Sequence, residues 1–326
     1  MSQQPVVSGR PDRNVAPQQS FDTRTAPPGP RPSTIVCLSV LVGLVLSVVW
    51  SATFVDSTIG AKLADGVLGY NAKETSITGT AAGALFAFAA GLGGTFTACN
   101  IAAFSALAPM MSEQTSARSR WRAALSPLVW VCAGMVPVAG LYGAIGALAG
   151  DRLPQLSTKT VGSGGMPERL VQSIVVYGLL GIVFLYLGLA ALRLVPDPLA
   201  RLSRRWEHAP LVVMGALIGL FLVGRPFPLF FKMFQYAAEE HNAFYGALVF
   251  VLVAIGNVAI MALLFLLLAL PGRGAIPRWL TARRDRLATV TASGLLIAGS
   301  FTLIYWAVRL PAYFGYGWFP TMPWNT

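Results

Sequence analysis

Apolar residues in this chain gather into long continuous runs; they neither alternate nor recur on a single helical face. Seven such runs lie near residues 34–55, 80–110, 124–150, 169–195, 209–236, 243–270 and 289–310, parted by short polar segments. Each reaches the roughly 20 residues that a helix needs to cross about 30 Å of hydrocarbon. A membrane barrel would show alternating segments of about ten residues instead. The pattern predicts an all-α fold, a polytopic membrane helix bundle with about seven transmembrane helices.

Composition points the same way, because 55% hydrophobic and 11% charged residues in a chain of 326 cannot cover a water-facing surface of that size. Residues 1–33 are rich in Pro, Gln, Ser and Arg and hold no apolar stretch to offset the entropy of ordering, so they read as a disordered cytoplasmic tail. The run at 34–55 follows this polar leader and is too long for a signal-peptide core. It reads as an extra N-terminal transmembrane helix that is retained. A six-helix domain over 80–310 follows, then a tail over 311–326 whose Tyr313, Phe314, Tyr316, Trp318, Phe319 and Trp324 suit an extracytoplasmic interface.

The net charge of +11 raises the possibility of nucleic acid, and the placement of the charges removes it. Sixteen of the 24 Lys and Arg fall in four segments: the tail, the loop with Arg118, Arg120 and Arg122, the connection with Arg193, Arg201, Arg204 and Arg205, and the connection with Arg273 to Arg286. With seven spans, all four lie on one side. The other side carries Lys62, Lys73, Arg152, Lys159, Arg169 and Arg309, balanced by Asp56, Asp65, Glu74, Asp151, Glu168, Glu239 and Glu240. By the positive-inside rule the N-terminus is cytoplasmic and the C-terminus extracytoplasmic, in the plasma (cytoplasmic) membrane. The lipid bilayer is the partner that this chain implies.

Gly83-Ala84-Leu85-Phe86 opens the second run and Gly215-Ala216-Leu217-Ile218 the fifth, and both runs then meet a break. The first passes Ala98-Cys99-Asn100 toward Pro109, and the second reaches Gly224-Arg225-Pro226-Phe227-Pro228. Matching segments of opposite direction are the product of a 3+3 inverted repeat, here preceded by one extra helix. Gly and Pro breaks are tolerated where freed backbone groups face protein or water, which places the second and fifth runs at the centre. Gly140, Gly143, Gly146 and Gly150 share nearly one face of the third run and predict close helix packing.

Three cysteines, Cys37, Cys99 and Cys132, form no Cys-x-x-Cys, so the sequence encodes no zinc knuckle and no local dithiol. Apolar filler is the default for such residues. Cys99 is set apart by its context: Phe88-Ala-Ala-Gly91-Leu92 leading to Ala98-Cys99 resembles the first helix of the cytochrome c biogenesis transmembrane family (CcdA/DsbD), where the same spacing ends in Pro-Cys. The stretch Gly224-Arg225-Pro226-Phe227 looks like that family's fourth helix. The resemblance covers roughly residues 80–310. It implies thiol–disulfide electron transfer with Cys99 as the first reactive thiol, and an extracytoplasmic thioredoxin-like or cytochrome c maturation protein as partner. Phe227 stands where the second cysteine belongs, and a relay needs a resolving thiol. Cys132 could serve only if it lay beside Cys99.

The fifth run offers Arg225 and Lys232, seven residues apart and so on roughly one face of a continuous helix, with Arg225 near mid-membrane. A charge at that depth costs at least about 2.5–3.5 kcal/mol and marks a candidate binding residue. An anionic ligand, a haem propionate or backbone carbonyls could balance it, while Lys232 could snorkel to headgroups. Pro226, Asn100, Asn257 and Thr95 to Thr97 would add to the same cavity. His208 and His241 fall at helix ends on opposite sides, so no histidine metal centre is expected, and no cofactor is evident. Three functions remain open: a thiol–disulfide role in cytochrome c biogenesis or extracytoplasmic thiol handling, transport or binding of a small anion or metal complex, and non-catalytic assembly. No phosphate-binding loop occurs, so energy must come from gradients, electrons or another subunit.

Overall fold

The structure, a computed structural model, describes residues 31–51, 54–93, 117–157, 159–161, 165–225, 228–269, 284–320 and 322–325. Pro32–Thr326 packs as one unit, and Met1–Arg31 is a separate one. The described residues are helical, with one isolated bridge between Thr160 and Pro167. In chain order the helices are α1 (Pro32–Val49), α2 (Ala61–Leu68), α3 (Thr80–Gly93), α4 (Ala117–Ala149), α5 (Glu168–Ala191), α6 (Pro198–Arg205), α7 (Ala209–Leu220), α8 (Pro228–Glu239), α9 (Ala243–Ala269), α10 (Arg284–Ile304) and α11 (Leu310–Tyr313). A 3-10 turn, Phe221–Gly224, extends α7, and a π turn, Tyr305–Arg309, joins α10 to α11.

Among the described residues, five helical stretches are long and apolar enough to cross a bilayer: Pro32–Val49, Ser126–Ala149, Glu168–Ala191, Ala243–Ile260 and Ala288–Tyr313. Ala209–Gly224 and Leu229–Glu239 make a sixth if taken together, bent by 83°. The second predicted run is described only as far as α3, and 94–110 lies outside the described residues. Helices α4 and α10 begin before their apolar runs, at Ala117 and Arg284. A helix satisfies its own backbone, so it continues past the apolar boundary as long as its side chains are soluble there.

The pairing of helices follows from which small residues admit a neighbour. Gly91 of α3 lies so close to α9 that a Cβ would strike the carbonyl of Val253, and Gly256 of α9 is equally close to the carbonyl of Phe88. Between α4 and α7, Gly215 abuts the carbonyl of Val131 and Gly134 that of Val212. Gly143 and Gly246 meet across α4 and α9, and Gly181 and Gly299 across α5 and α10. Gly146 receives the Phe234 ring. Small-residue contacts let backbones approach within van der Waals range, the main attraction available to helices in an apolar solvent.

These contacts also give directions. Along α3 and α9 the contacts move from Gly83 with Tyr245 to Gly91 with Val253, and along α4 and α7 from Val131 with Gly215 to Val138 with Gly219, so each of these two pairs is parallel. Helices α4 and α9, and α5 and α10, run antiparallel. The starts of α4, α7 and α10 and the ends of α5 and α9 therefore share one end of the bundle. The basic segments around Arg118, Arg201 and Arg286 fall at that end.

Helix α1 packs along α10 in parallel, with Gly43 against Ser300, and leaves Leu38, Leu41 and Val45 exposed. Its last carbonyls have no intrahelical donor. Arg309, only 8% exposed, donates through Nη1 to the carbonyls of Ser47 and Trp50, at 2.6 Å for the latter, and lies 5.0 Å from the Tyr305 ring centre. Trp324 Nε1 donates to the carbonyl of Val49 at 3.0 Å, so the aromatic tail caps α1 as well as offering an interface. A cation at a helix C-terminus also meets the negative end of the helix dipole.

Two outcomes are expected. Gly215→Ala should cost about 1–3 kcal/mol by overpacking against Val131, whereas Gly178→Ala, which meets open space, should stay within about 0.5 kcal/mol, both read by thermal unfolding in detergent. Arg309→Met should cost about 1–3 kcal/mol for each carbonyl left without a donor and speed amide exchange in the last turn of α1.

Candidate functional site at the broken helix

Where α7 ends, the carbonyls that a continuing helix would have satisfied must find other donors. Four of them do so through side chains brought from elsewhere. Tyr177 Oη donates to the carbonyl of Phe221 at 2.7 Å. Tyr142 Oη at 3.2 Å and Gln172 Nε2 both donate to Val223. Ser173 Oγ donates to Gly224 at 2.6 Å, and Gln155 Nε2 to Arg225 at 2.8 Å. Gly224 lets α5 lie close to the joint, where a Cβ would sit 3.2 Å from the Ser173 Cα. Tyr177 is itself held by Trp306, stacked at 4.1 Å, and Tyr142 by Phe234, stacked at 5.7 Å.

The donors fix the depth of the break. Gln155 sits in the connection after α4, and Gln172 and Ser173 lie in the first two turns of α5. The break is thus at the end of the bundle where α4 finishes and α5 starts, not midway along it, because α7 has already crossed α4 at Gly215. Arg225 is buried there, 6% exposed, in extended conformation with ψ of 112°. The 83° bend also separates Arg225 from Lys232, so the one-face spacing of a continuous helix does not apply.

Helix α8 crosses this end of the bundle. It buries Leu229, Phe230, Met233, Phe234, Ala237 and Ala238, with the Phe230 and Phe234 rings edge-on to Phe250 at 5.4 and 5.1 Å. Lys232 leaves the buried face and locks a loop: its Nζ donates to the carbonyls of Ala72, Lys73 and Thr75 at 3.0, 3.1 and 2.6 Å. The Phe86 ring centre lies 5.8 Å away. The loop is held from its other side by Asp65, whose Oδ1 accepts from the Ala72 N–H at 2.7 Å. Of the balances considered for a charge here, backbone carbonyls are the one realised for Lys232.

Cys132 is a free, half-buried thiol on α4, next to Val131 of the α4–α7 crossing, and Cys37 is a free thiol exposed on α1. Cys99, Asn100, Pro226, Phe227 and Thr95 to Thr97 lie outside the described residues. Asn257 is buried on α9, adjoining Gly256. His208 stacks on Trp130 at 4.3 Å, and His241 Nδ1 lies 2.7 Å from the Glu239 carbonyl oxygen. Among the described residues no three His, Cys, Asp or Glu side chains converge on a point that could hold a metal.

Gln155, Gln172, Ser173, Tyr142 and Tyr177 were invisible as a group to sequence reasoning. The available signal was a glutamine inside the apolar run that opens α5, since a carboxamide in such a setting needs a partner. Gln155→Leu should strip the Arg225 carbonyl of its donor and lower stability by about 1–3 kcal/mol, and Lys232→Met should accelerate hydrogen exchange across Ala72 to Thr75 without disturbing α5. Compared with known proteins, the chain matches no family model, no curated protein and no solved structure.

Proposed function

We propose that this chain is a membrane carrier for a small anion, with α3 to α5 and α7 to α10 as the inverted halves of a six-span domain and α1 as an added span. The observation that carries this reading is the equivalence of two helix crossings. Phe88 and Gly91 meet Val253 and Gly256, and Val212 and Gly215 meet Val131 and Gly134, through the same kinds of backbone contact. The same number of residues separates Phe88 from Val212 as Gly91 from Gly215, and likewise Val131 from Val253 as Gly134 from Gly256. Exchanging α3 with α7, α4 with α9 and α5 with α10 carries the α3–α9 crossing onto the α4–α7 crossing and keeps the α4–α9 and α5–α10 pairings, which supports a repeat. Gly215 then corresponds to Gly91, about two turns along from the Gly83 match that shared letters suggest.

Alternating helix directions support seven spans, and the basic end of the bundle supports a cytoplasmic N-terminus in the plasma membrane. Carriers of inverted-repeat design bind solute at broken helices and expose it by rocking one half against the other. Arg225, a buried cation at the break, is the group suited to an anion, through charge-assisted hydrogen bonds worth about 1.5–3 kcal/mol. Lys232 serves the architecture in this reading.

The second reading is the thiol relay of the CcdA/DsbD resemblance, serving cytochrome c biogenesis or extracytoplasmic thiol handling. Cys132 favours it as a free thiol on α4, one residue from the crossing with α7 at Val131. The two readings separate in proteoliposomes. For the carrier, uptake of radiolabelled inorganic and carboxylate anions should fall about tenfold or more in Arg225→Gln and persist in Cys99→Ser and Cys132→Ser. Failure of every anion to enter, together with a Cys99 disulfide trapped by alkylation in cells, would overturn the carrier in favour of the relay.

A further inference from the structure

The connection between α5 and α7 holds a short helix that the site does not use. Asp197 caps α6, its Oδ1 accepting from the Leu199 N–H at 2.8 Å, and Tyr186 Oη holds the preceding turn through the carbonyl of Pro196 at 3.0 Å. Helical spacing sets Leu199 and Leu202 on one stripe and Arg201, Arg204 and Arg205 on the opposite one. All three arginines are exposed. Leu199 turns inward against the core, while Leu202 and the following Trp206 are each 42% exposed.

Trp206 is also tethered. Its ring meets Trp130 of α4 edge-on at 5.7 Å, and His208, the residue that leads into α7, stacks on the other part of Trp130 at 4.3 Å and 13°. This aromatic group holds α6 toward the basic end of the bundle, level with the start of α7 and close to Ser126, where the apolar stretch of α4 begins. An amphipathic helix fixed there, with guanidinium groups on one stripe and an exposed Leu and Trp beside it, has the features of an interfacial element.

We infer that α6 is a docking site for anionic phospholipid headgroups. Charge complementarity identifies the occupant: Arg193, Arg201, Arg204 and Arg205 face only Asp197 and Glu207 within the connection, and Asp197 is engaged as the cap. Guanidinium groups bind phosphate in a bidentate way, and Trp rings favour the headgroup level of a bilayer. A bound headgroup at α6 would steady the start of α7 through Trp206, Trp130 and His208. The inference holds whichever solute or electron the bundle moves.

The test uses the full chain in nanodiscs of equal parts phosphatidylcholine and phosphatidylglycerol, transferred to micelles, with retained lipids counted by native mass spectrometry. Wild type should keep phosphatidylglycerol in preference to phosphatidylcholine, and less of it as salt rises. The triple variant R201Q/R204Q/R205Q should lose that preference about tenfold or more, since each arginine near an anionic surface contributes about fivefold. R152Q/K159Q, which removes charge from the opposite end, should keep it. Brominated phosphatidylcholine should quench more fluorescence in wild type than in Trp206→Phe, a readout that does not depend on the triple variant folding. Equal phosphatidylglycerol retention in wild type and the triple variant, retention indifferent to salt, or quenching unchanged by Trp206→Phe would overturn the site. Displacement of the lipid by an acidic peptide at equal concentration would assign α6 to a protein partner and overturn it too.

Discussion

A carbonyl that leaves its helix inside an apolar bundle has no water to accept from, and the joint between α7 and α8 is organised by that constraint. Four carbonyls, those of Phe221, Val223, Gly224 and Arg225, take donors from α4, α5 and the connection between them. The helix can turn through 83° because those donors are in place, and α5 can approach because position 224 has no side chain. The bend in turn lays α8 across the bundle end, where Phe230 and Phe234 cover Tyr142 and Phe250.

Charged groups obey the same logic. Arg309 and Lys232 each resemble an unexplained cation in an apolar setting until the carbonyls around them are counted. One closes the end of α1 and the other gathers three carbonyls of a single loop. Both act as multiple donors, each reaching more than one carbonyl from a single charged group. Among the described residues, the exposed arginines of α6 are cations whose positions point beyond the fold.

Close packing supplies the second organising principle. Gly91 with Gly256 and Gly134 with Gly215 bring backbones together at two equivalent crossings, and the longer contacts of α4 with α9 and α5 with α10 join them. Glycine is needed at these points for space, since a methyl group would collide with a carbonyl of the facing helix. The likeness of these two crossings is what supports reading the bundle as a carrier.

Much of this was legible in the chain itself. Helix class follows from apolar runs of spanning length, the position of the break from Gly224 and the prolines after it, and the sidedness of charge from arginine clusters between runs. These are local properties, fixed by residues near one another in sequence. Partners of the freed carbonyls were not legible, because Tyr142, Gln155 and Ser173 reach the break from far along the chain. Neither was the depth of Arg225, which depends on where α7 crosses α4, nor the role of Lys232, which the bend removes from Arg225's face. The sequence by itself determined that this chain is helical, apolar and broken at residue 225. Only the tertiary structure decided which helices meet and which polar groups are spent in holding them, since backbone satisfaction and close approach are settled by groups distant in sequence.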